Sequence, residues 1–333
     1  MTRASIPIFV PHMGCPRQCS FCDQHTISGA RRAPGPEEAA GLCQSALARF
    51  APDARGEIAF FGGSFTAIPR GEMTALLAAV QPFLQDGRIT GIRVSTRPDA
   101  VDEEMLDILE AYGVSAIELG AQSMYNKVLT ANRRGHLAKD VARASALIRD
   151  RGLALGLQMM TGLYGSSREM DLETGRRLAD LGPREVRIYP TVVLAGTHLD
   201  ALLRTGAYTP PTLEETVDLC ADLLDLFGGR DIRVLRVGLH ASREMEARIT
   251  GGCYHPALGE LCQSRRILRD LLSRLGAPGV SQYTLQVNPR YLSQVVGQKR
   301  QNMRALEALG FQIAVRICPD LAAPYILTQG GAV

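Results

Sequence analysis

"GEIAFFGGSF", Gly56–Phe65, is a short apolar run that stops at paired glycines. A run of this length suits a buried strand better than a helix, and Gly62-Gly63 ends it in a turn. Reading outward, the same unit recurs. "GPEEAAGLCQSALARF" before it has helical periodicity, with Pro36 and two acids in its first turn. "RGEMTALLAAVQPFL" after it is a second amphipathic helix. "GRITGIRVSTRPD" is β-rich to Thr96, and "VDEEMLDILEAYG" is a helix that opens on acids and closes at Gly113. The strand "VSAIELGAQS" then precedes the helix "LAKDVARASALIRDRG", the strand "LALGLQMMTGL" precedes the helix "REMDLETGRRLADLG", and "REVRIYPTVV" is a further strand. Strand and helix alternate at least five times from Ile58 to Val193, which implies right-handed βαβ units on a parallel sheet or barrel. A full eight-fold barrel needs about 250 residues, so the expectation is a shorter, open barrel. The chain is divided as residues 1–235 for the barrel and 236–333 for a small α+β extension.

Function in such folds collects at the carboxyl ends of the strands. "GCPRQCSFCDQ", Gly14–Gln24, places Cys15, Cys19 and Cys22 within eight residues, just before the helix that leads into Gly56–Phe65. A loop of that size can turn three sulfurs toward one centre. A closed structural zinc site normally has four protein ligands, and ferredoxin clusters also use four cysteines. Three ligands leave one iron of a [4Fe–4S] cluster open. The plain alternative is a zinc loop with a distant fourth ligand such as His12, His25 or Cys43.

Composition bounds the rest. The 333 residues are 46% hydrophobic and 21% charged, enough for a sizeable core and unlike a disordered chain. The net charge of +3 names no partner. No run approaches the ~20 apolar residues of a membrane span. The apolar start is short and runs straight into the cysteines, which argues against a signal peptide. Eight unevenly spread cysteines do not suggest a disulfide framework, so a cytoplasmic, reducing setting is expected.

The CxxxCxxC spacing, with Phe21 just before the last cysteine, resembles the signature of the radical S-adenosylmethionine (SAM) superfamily. The resemblance implies an α/β partial (β/α)6 barrel with a small α+β extension, one [4Fe–4S] cluster on Cys15, Cys19 and Cys22, and SAM as cofactor. By position, Gly62, Gly63 and Ser64 stand where the superfamily binds the methionine amino group through backbone oxygens, Ser64 replacing the usual acid. In the branch holding oxygen-independent coproporphyrinogen oxidases and the catalytic subunit of Elongator, Ser95 would face the ribose. Gln122 would bond the ribose or methionine, Arg134 would pair with the methionine carboxylate, and Gln158 would lie near the nucleoside. Arg133 replaces Arg134 if the register is off by one. Later stretches, "VRIYPTVVLAGTHLDALLRTGAY", "VLRVGLHAS", "GGCYHPALGELCQSR" and "VVGQKRQN", look like the Elongator catalytic-subunit family. The cysteine spacing is shorter than that family's usual one. The chain stops at Val333, and no acetyltransferase half is expected.

Between Ala257 and Arg304 eight Lys/Arg face only Glu260 and Asp270, a local +6 in a chain of +3. Arg265, Arg266 and Arg269 fall close to one helical face, and Lys299, Arg300 and Arg304 repeat the pattern. A basic stripe of this kind suits a phosphate backbone, so tRNA is one expected substrate; the alternative is a solvated helix face. Two other functions stay open: radical chemistry on a small molecule such as a tetrapyrrole, and a non-catalytic cluster or haem carrier. A flavodoxin- or ferredoxin-like electron donor is expected for either enzyme. Cys253, His255 and Cys262, with His240 and Cys318, make a weak case for a second metal site against ordinary buried residues.

Overall fold

In the computed structural model the described residues are 4–11, 13–15, 19–23, 26–27, 32–51, 53–85, 87–240, 242–278 and 282–330. They form two compact units: Met1–Thr212 with Leu226–Tyr254, and Leu213–Asp225 with His255–Val333.

The first unit is built on seven parallel strands in the order β1-β2-β3-β4-β5-β6-β8. Its elements run β1 (Ala4–Phe9), α1 (Pro36–Leu47), β2 (Gly56–Phe61), α2 (Arg70–Gln85), β3 (Ile89–Thr96), α3 (Glu103–Ala111), β4 (Val114–Gln122), α4 (Asn126–Ala131), α5 (Ala138–Asp150), β5 (Ala154–Thr161), α6 (Arg168–Asp180), β6 (Glu185–Pro190), β7 (Val192–Leu194) and α7 (His198–Arg204). Helix α8 (Leu213–Gly228) then leads to β8 (Arg233–Val237), α9 (Arg243–Glu246) and β9 (Ile249–Gly252), which pairs antiparallel with β7. The alternation read from the sequence is this sheet, with one strand more than the expected six. The seventh, β8, contains residue 235, so the expected boundary cuts through it.

Register explains why the strands are legible. Ile6 pairs with Ile58, Ile8 and Val94 with Phe60, Ile117 with Val94 and Leu155, and Leu157 with Leu119 and Val186. Because side chains alternate along a strand, these align as one apolar face, and all are 2% exposed or less. The opposite face is polar. Arg93 there bonds Glu57 at 2.8 Å, Glu118 at 3.1 Å and Glu185 at 2.9 Å. Arg187 grips Glu118 with two donors, at 2.9 and 3.1 Å. Buried charges are tolerated only when paired this way, since desolvation costs several kcal/mol per ion.

The helix ends follow local chemistry. Asp102, Ser167 and Thr197 each cap a helix by accepting a backbone N–H, at Met105, Met170 and Asp200 respectively.

The second unit carries part of α8, then α10 (Leu258–Arg274), β10 (Gln282–Val287), α11 (Leu292–Val296), α12 (Gln301–Ala308), β11 (Gln312–Ile317) and β12 (Tyr325–Gln329). Its sheet has the order β11-β10-β12, with one parallel and one antiparallel pairing. Leu271, Tyr283, Leu285, Val295, Met303 and Leu306 form its core.

Here one expectation is corrected. Arg265, Arg266 and Arg269 do not form an open basic stripe. Arg265 pairs with Glu214 and Asp218, Arg266 with Asp225 at 2.6 Å, and Arg269 with Asp218 and Asp222, both at 2.6 Å. Glu214, Asp218, Asp222 and Asp225 recur at helical spacing on α8 and make an acidic face that α10 answers. The local charge count missed them because they lie more than 40 residues upstream. Lys299, Arg300 and Arg304 are exposed, and Arg300 reaches Glu307 only at 3.5 Å.

Candidate active site at the cysteine loop

The cysteine loop follows β1 and sits at the carboxyl edge of the sheet, seated by glycine contacts. Gly14 has φ +71°, and a Cβ there would lie 2.2 Å from the Ser64 carbonyl oxygen. A Cβ on Gly63 would lie 2.3 Å from the Met13 carbonyl oxygen and 2.5 Å from that of Val10. The loop and the turn after β2 thus interlock backbone to backbone, and only glycine permits that approach. Ser64 N–H closes the seam by donating to Met13 O at 2.8 Å.

Further along, Ser20 Oγ donates to Asn132 Oδ1 at 2.7 Å, and Ser20 N–H to Asn132 O at 3.1 Å. Asn132 is fully buried and in turn donates to the Val128 and Tyr164 carbonyls at 2.8 and 2.9 Å. Arg248 clamps the end of the loop, bonding Asp23 at 2.8 Å and Thr26 Oγ1 at 2.7 Å. Phe21 packs against the buried cluster of Val128, Met160 and Leu163.

Cys19 is buried, and Cys15 and Cys22 are partly so. Burial, reinforced by the neighbouring cysteines, pushes the Cys15 thiol up and the Cys22 thiol to about 12, while Arg134 pulls both down. The thiols therefore sense one another and a common cation. Arg134 donates to Cys19 Sγ at 3.2 Å and to Gly120 O at 2.7 Å. Arg133 is exposed, so the position turned to the cysteines is 134. Among the described residues no three His, Cys, Asp or Glu side chains close around a single metal ion. Three ligands around a four-iron cube stand farther apart than three on one ion. His12 and His25 lie outside the described residues, and Cys43 is fully buried on α1.

The strand ends supply polar groups with no partner. Ser95 Oγ, Gln122 Oε1 and Arg134 Nε are buried and make no hydrogen bond. Buried polar atoms are normally satisfied, so three unpaired ones at the mouth of one sheet fit a polar ligand. Gln122 also has φ +64°, a left-handed backbone that costs a non-glycine residue about 1–2 kcal/mol. A register shift between Gly120 and Gln122 makes the bulge that aims it. His136 adds a fourth unpaired atom, Nδ1; its Nε2 lies 3.3 Å from Ala121 O.

Two expected cofactor residues have side chains held by protein partners. The Ser64 side chain is fully buried, with Oγ 3.0 Å from Thr96 Oγ1 and accepting Arg97 N–H at 3.1 Å. Its hydroxyl braces β3, and the expectation for Gly62-Gly63-Ser64 concerns their backbone oxygens. Gln158 is anchored through Nε2 to Glu118 at 2.8 Å. Gly14, Asn132, Ser20 and Arg248 were not singled out as site residues from the sequence. Gly14 directly before the first cysteine was the one available signal. In the second unit His255 Nδ1 accepts Ala257 N–H at 3.1 Å in a local turn, and Cys262 is fully buried on α10.

An open parallel sheet that gathers three thiols and unpaired polar groups at its carboxyl edge is the frame of an α/β enzyme holding a cofactor at that edge. The sequence model of the Radical SAM superfamily matches residues 9–178, and that of the Radical SAM C-terminal domain matches residues 183–268. The chain belongs to the radical SAM superfamily and is an enzyme of that class. It is 34% identical over 135 residues to the tRNA uridine(34) acetyltransferase of Methanocaldococcus infernus, covering 40% of this chain and 25% of that protein. It is 34% identical over 142 residues to Elongator complex protein 3 of Saccharomyces cerevisiae, covering 42% and 26%. The chain thus spans about a quarter of the length of these curated relatives. The solved archaeal Methanocaldococcus infernus Elp3 superposes with a TM-score of 0.63 at 22% identity, covering 80% of this chain and 63% of that one, and shares its fold. No helix among the described residues is long and apolar enough to cross a membrane.

Proposed function

We propose that this chain holds one [4Fe–4S] cluster on Cys15, Cys19 and Cys22, binds SAM at the adjoining strand ends, and acts on tRNA. The observation that carries the reading is the convergence of the three-cysteine loop with unpaired Ser95 Oγ, Gln122 Oε1 and Arg134 Nε at one sheet edge. When bound, the cluster and SAM supply a 5′-deoxyadenosyl radical that takes a hydrogen atom from the substrate. The chain's own residues do the rest. The carbonyls of the Gly62-Gly63 turn accept from the methionine ammonium. Arg134 supplies the charge for its carboxylate. Ser95 and Gln122 serve the ribose, and Gln158, fixed by Glu118, borders the nucleoside. Asn132 and Arg248 hold the loop against solvent. An electron donor of flavodoxin or ferredoxin type serves this site, in a reducing cytoplasm.

tRNA is favoured over a small molecule because the relatives are named for tRNA uridine modification and for Elongator. In the second unit Lys299 and Arg304 offer exposed cations, whereas Arg265, Arg266 and Arg269 are engaged by α8. The test is anaerobic reconstitution of the full chain. About four irons per chain are expected, with 5′-deoxyadenosine released under dithionite and SAM, and release accelerated by tRNA. Loss of iron in each of Cys15→Ala, Cys19→Ala and Cys22→Ala completes the expectation. Stoichiometric zinc without iron sinks it, and a rate indifferent to tRNA removes tRNA as the substrate.

A further inference from the structure

The polar face of the seven-stranded sheet contains four arginines, Arg93, Arg187, Arg233 and Arg236, and three glutamates, Glu57, Glu118 and Glu185. Their pairing is specific. Arg93 contacts all three acids, Arg187 takes Glu118, and Arg233 takes Glu185. The positive charge left over falls on Arg236. Its Nε donates to Gly238 O at 2.9 Å and one NH2 hydrogen to Leu239 O at 3.2 Å. Among the described residues no carboxylate pairs with it. A guanidinium carries five N–H donors, so three are unassigned by these contacts.

Its place in the fold gives that charge a use. Arg236 lies near the carboxyl end of β8, the edge strand of the sheet, and is the register partner of Arg187 on β6. Two guanidiniums therefore stand side by side on one face. Tyr189, Tyr254 and exposed His240 lie within electrostatic reach of this pair. Tyr189 packs in the same cluster as Phe21, and Tyr254 packs in the same cluster as Ile27, so the group adjoins the later half of the cysteine loop. Half-buried arginines beside a second cation are disfavoured unless something negative completes them. Nothing in the cofactor site described above makes use of Arg236.

We propose that Arg236, with Arg187 beside it, holds a phosphate group of the RNA substrate at the mouth of the half-barrel. The planar fork suits phosphate oxygens, and the two tyrosine hydroxyls and His240 add hydrogen-bonding capacity around it. The inference rests on the RNA reading above and places one point of the strand next to the radical site.

The test uses the anaerobically reconstituted full chain and a single-stranded RNA heptamer, followed by fluorescence anisotropy at several salt concentrations. Arg236→Gln is expected to bind about tenfold more weakly at low salt, with a log–log salt slope shallower by about 0.7, one phosphate contact on single-stranded RNA. Arg230→Gln removes the same charge from an exposed pair with Asp180 and is expected to keep the wild-type slope. Arg236→Lys keeps the charge for folding and loses the fork; it is expected to keep the slope and lose three- to fivefold in affinity. A salt-dependent wild type with the same slope in Arg236→Gln, or wild-type affinity in Arg236→Lys, overturns this inference and leaves the RNA reading standing. A wild type that binds no RNA overturns both.

Discussion

Replacing Asn132 with alanine isolates what holds the cysteine loop. The Asn132 side chain makes three hydrogen bonds, buried ones to Ser20 Oγ and Val128 O and a part-buried one to Tyr164 O. Val128 O keeps a partner in the variant, because Asn132 N–H also donates to it at 3.0 Å. Ser20 Oγ and Tyr164 O lose theirs. Leaving a buried polar group unsatisfied costs about 1–3 kcal/mol, so Asn132→Ala is expected to destabilise the first unit by about 2–5 kcal/mol. Ser20→Ala breaks only the first bond and is expected to cost about 1–2 kcal/mol. In a double-mutant cycle the pair should couple by about 1 kcal/mol, since the two residues share that bond. Urea unfolding read by near-UV circular dichroism measures the loss as a lower midpoint at unchanged slope. Iron per chain after reconstitution gives the local readout: Asn132→Ala should retain less than half the parent's iron in a buffer where it is still folded. An Asn132→Ala variant with a midpoint within 0.5 kcal/mol of the parent, on that scale, and a full iron complement refutes the argument.

Three other outcomes follow from the same geometry. Burial, with Arg134 and Arg97 against it and Asp99 and the Ala121 carbonyl opposing, holds His136 neutral to about pH 4. Its folded value lies below the ordinary 6.5, so the unfolded chain takes up the proton first; the stability is present above pH 6.5 and is lost as pH falls from 6.5 toward 4. At 1.36 kcal/mol per unit this is about 2 kcal/mol between pH 7.5 and 5, and urea midpoints at the two pH values should converge in His136→Gln relative to the parent. Gly63→Ala should abolish stable cluster loading, because its Cβ meets two backbone oxygens that cannot yield, whereas Gly71→Ala, with open space around it, should load iron normally. Arg265→Gln with Arg269→Gln should leave RNA affinity within twofold by filter binding and cost about 1–2 kcal/mol of stability; Lys299→Gln with Arg304→Gln should weaken RNA binding and leave stability unchanged.

The βα alternation was legible because strands β1 to β6 put aliphatic or aromatic residues at alternate positions on a fully buried face, as Ile58 and Phe60 do, and because Gly62 and Gly113 mark ends with positive φ. Chemistry concentrated in one loop was legible too, since Cys15, Cys19 and Cys22 are local in sequence. What could not be read was any property made by distant partners. The acids of α8 that neutralise Arg265 and Arg269 form a helical face of their own, and only folding shows which helix meets it. Ser64 is placed at the site by its backbone, and the turn of its hydroxyl toward Thr96 is decided by β3. The boundary at 235 falls inside β8, which is short and polar, with arginines at both 233 and 236. Asn132 and Arg248 carry no local signal, because each acts on a loop far away in the chain.

Those distances have a consequence for biosynthesis. The cysteines are translated well before the residues that hold their loop: Asn132 follows Ser20 by 112 positions and Arg248 follows Thr26 by 222. At roughly 5–20 residues per second, the clamp on Thr26 is translated about 10–45 seconds after the loop it secures. During that interval the three thiols belong to an open chain, exposed to oxidants and stray metal ions. A seat held by Asn132 and Arg248 is therefore complete only after most of the first unit has been made, so on the proposed function cluster loading is expected to be a late event in the life of each chain.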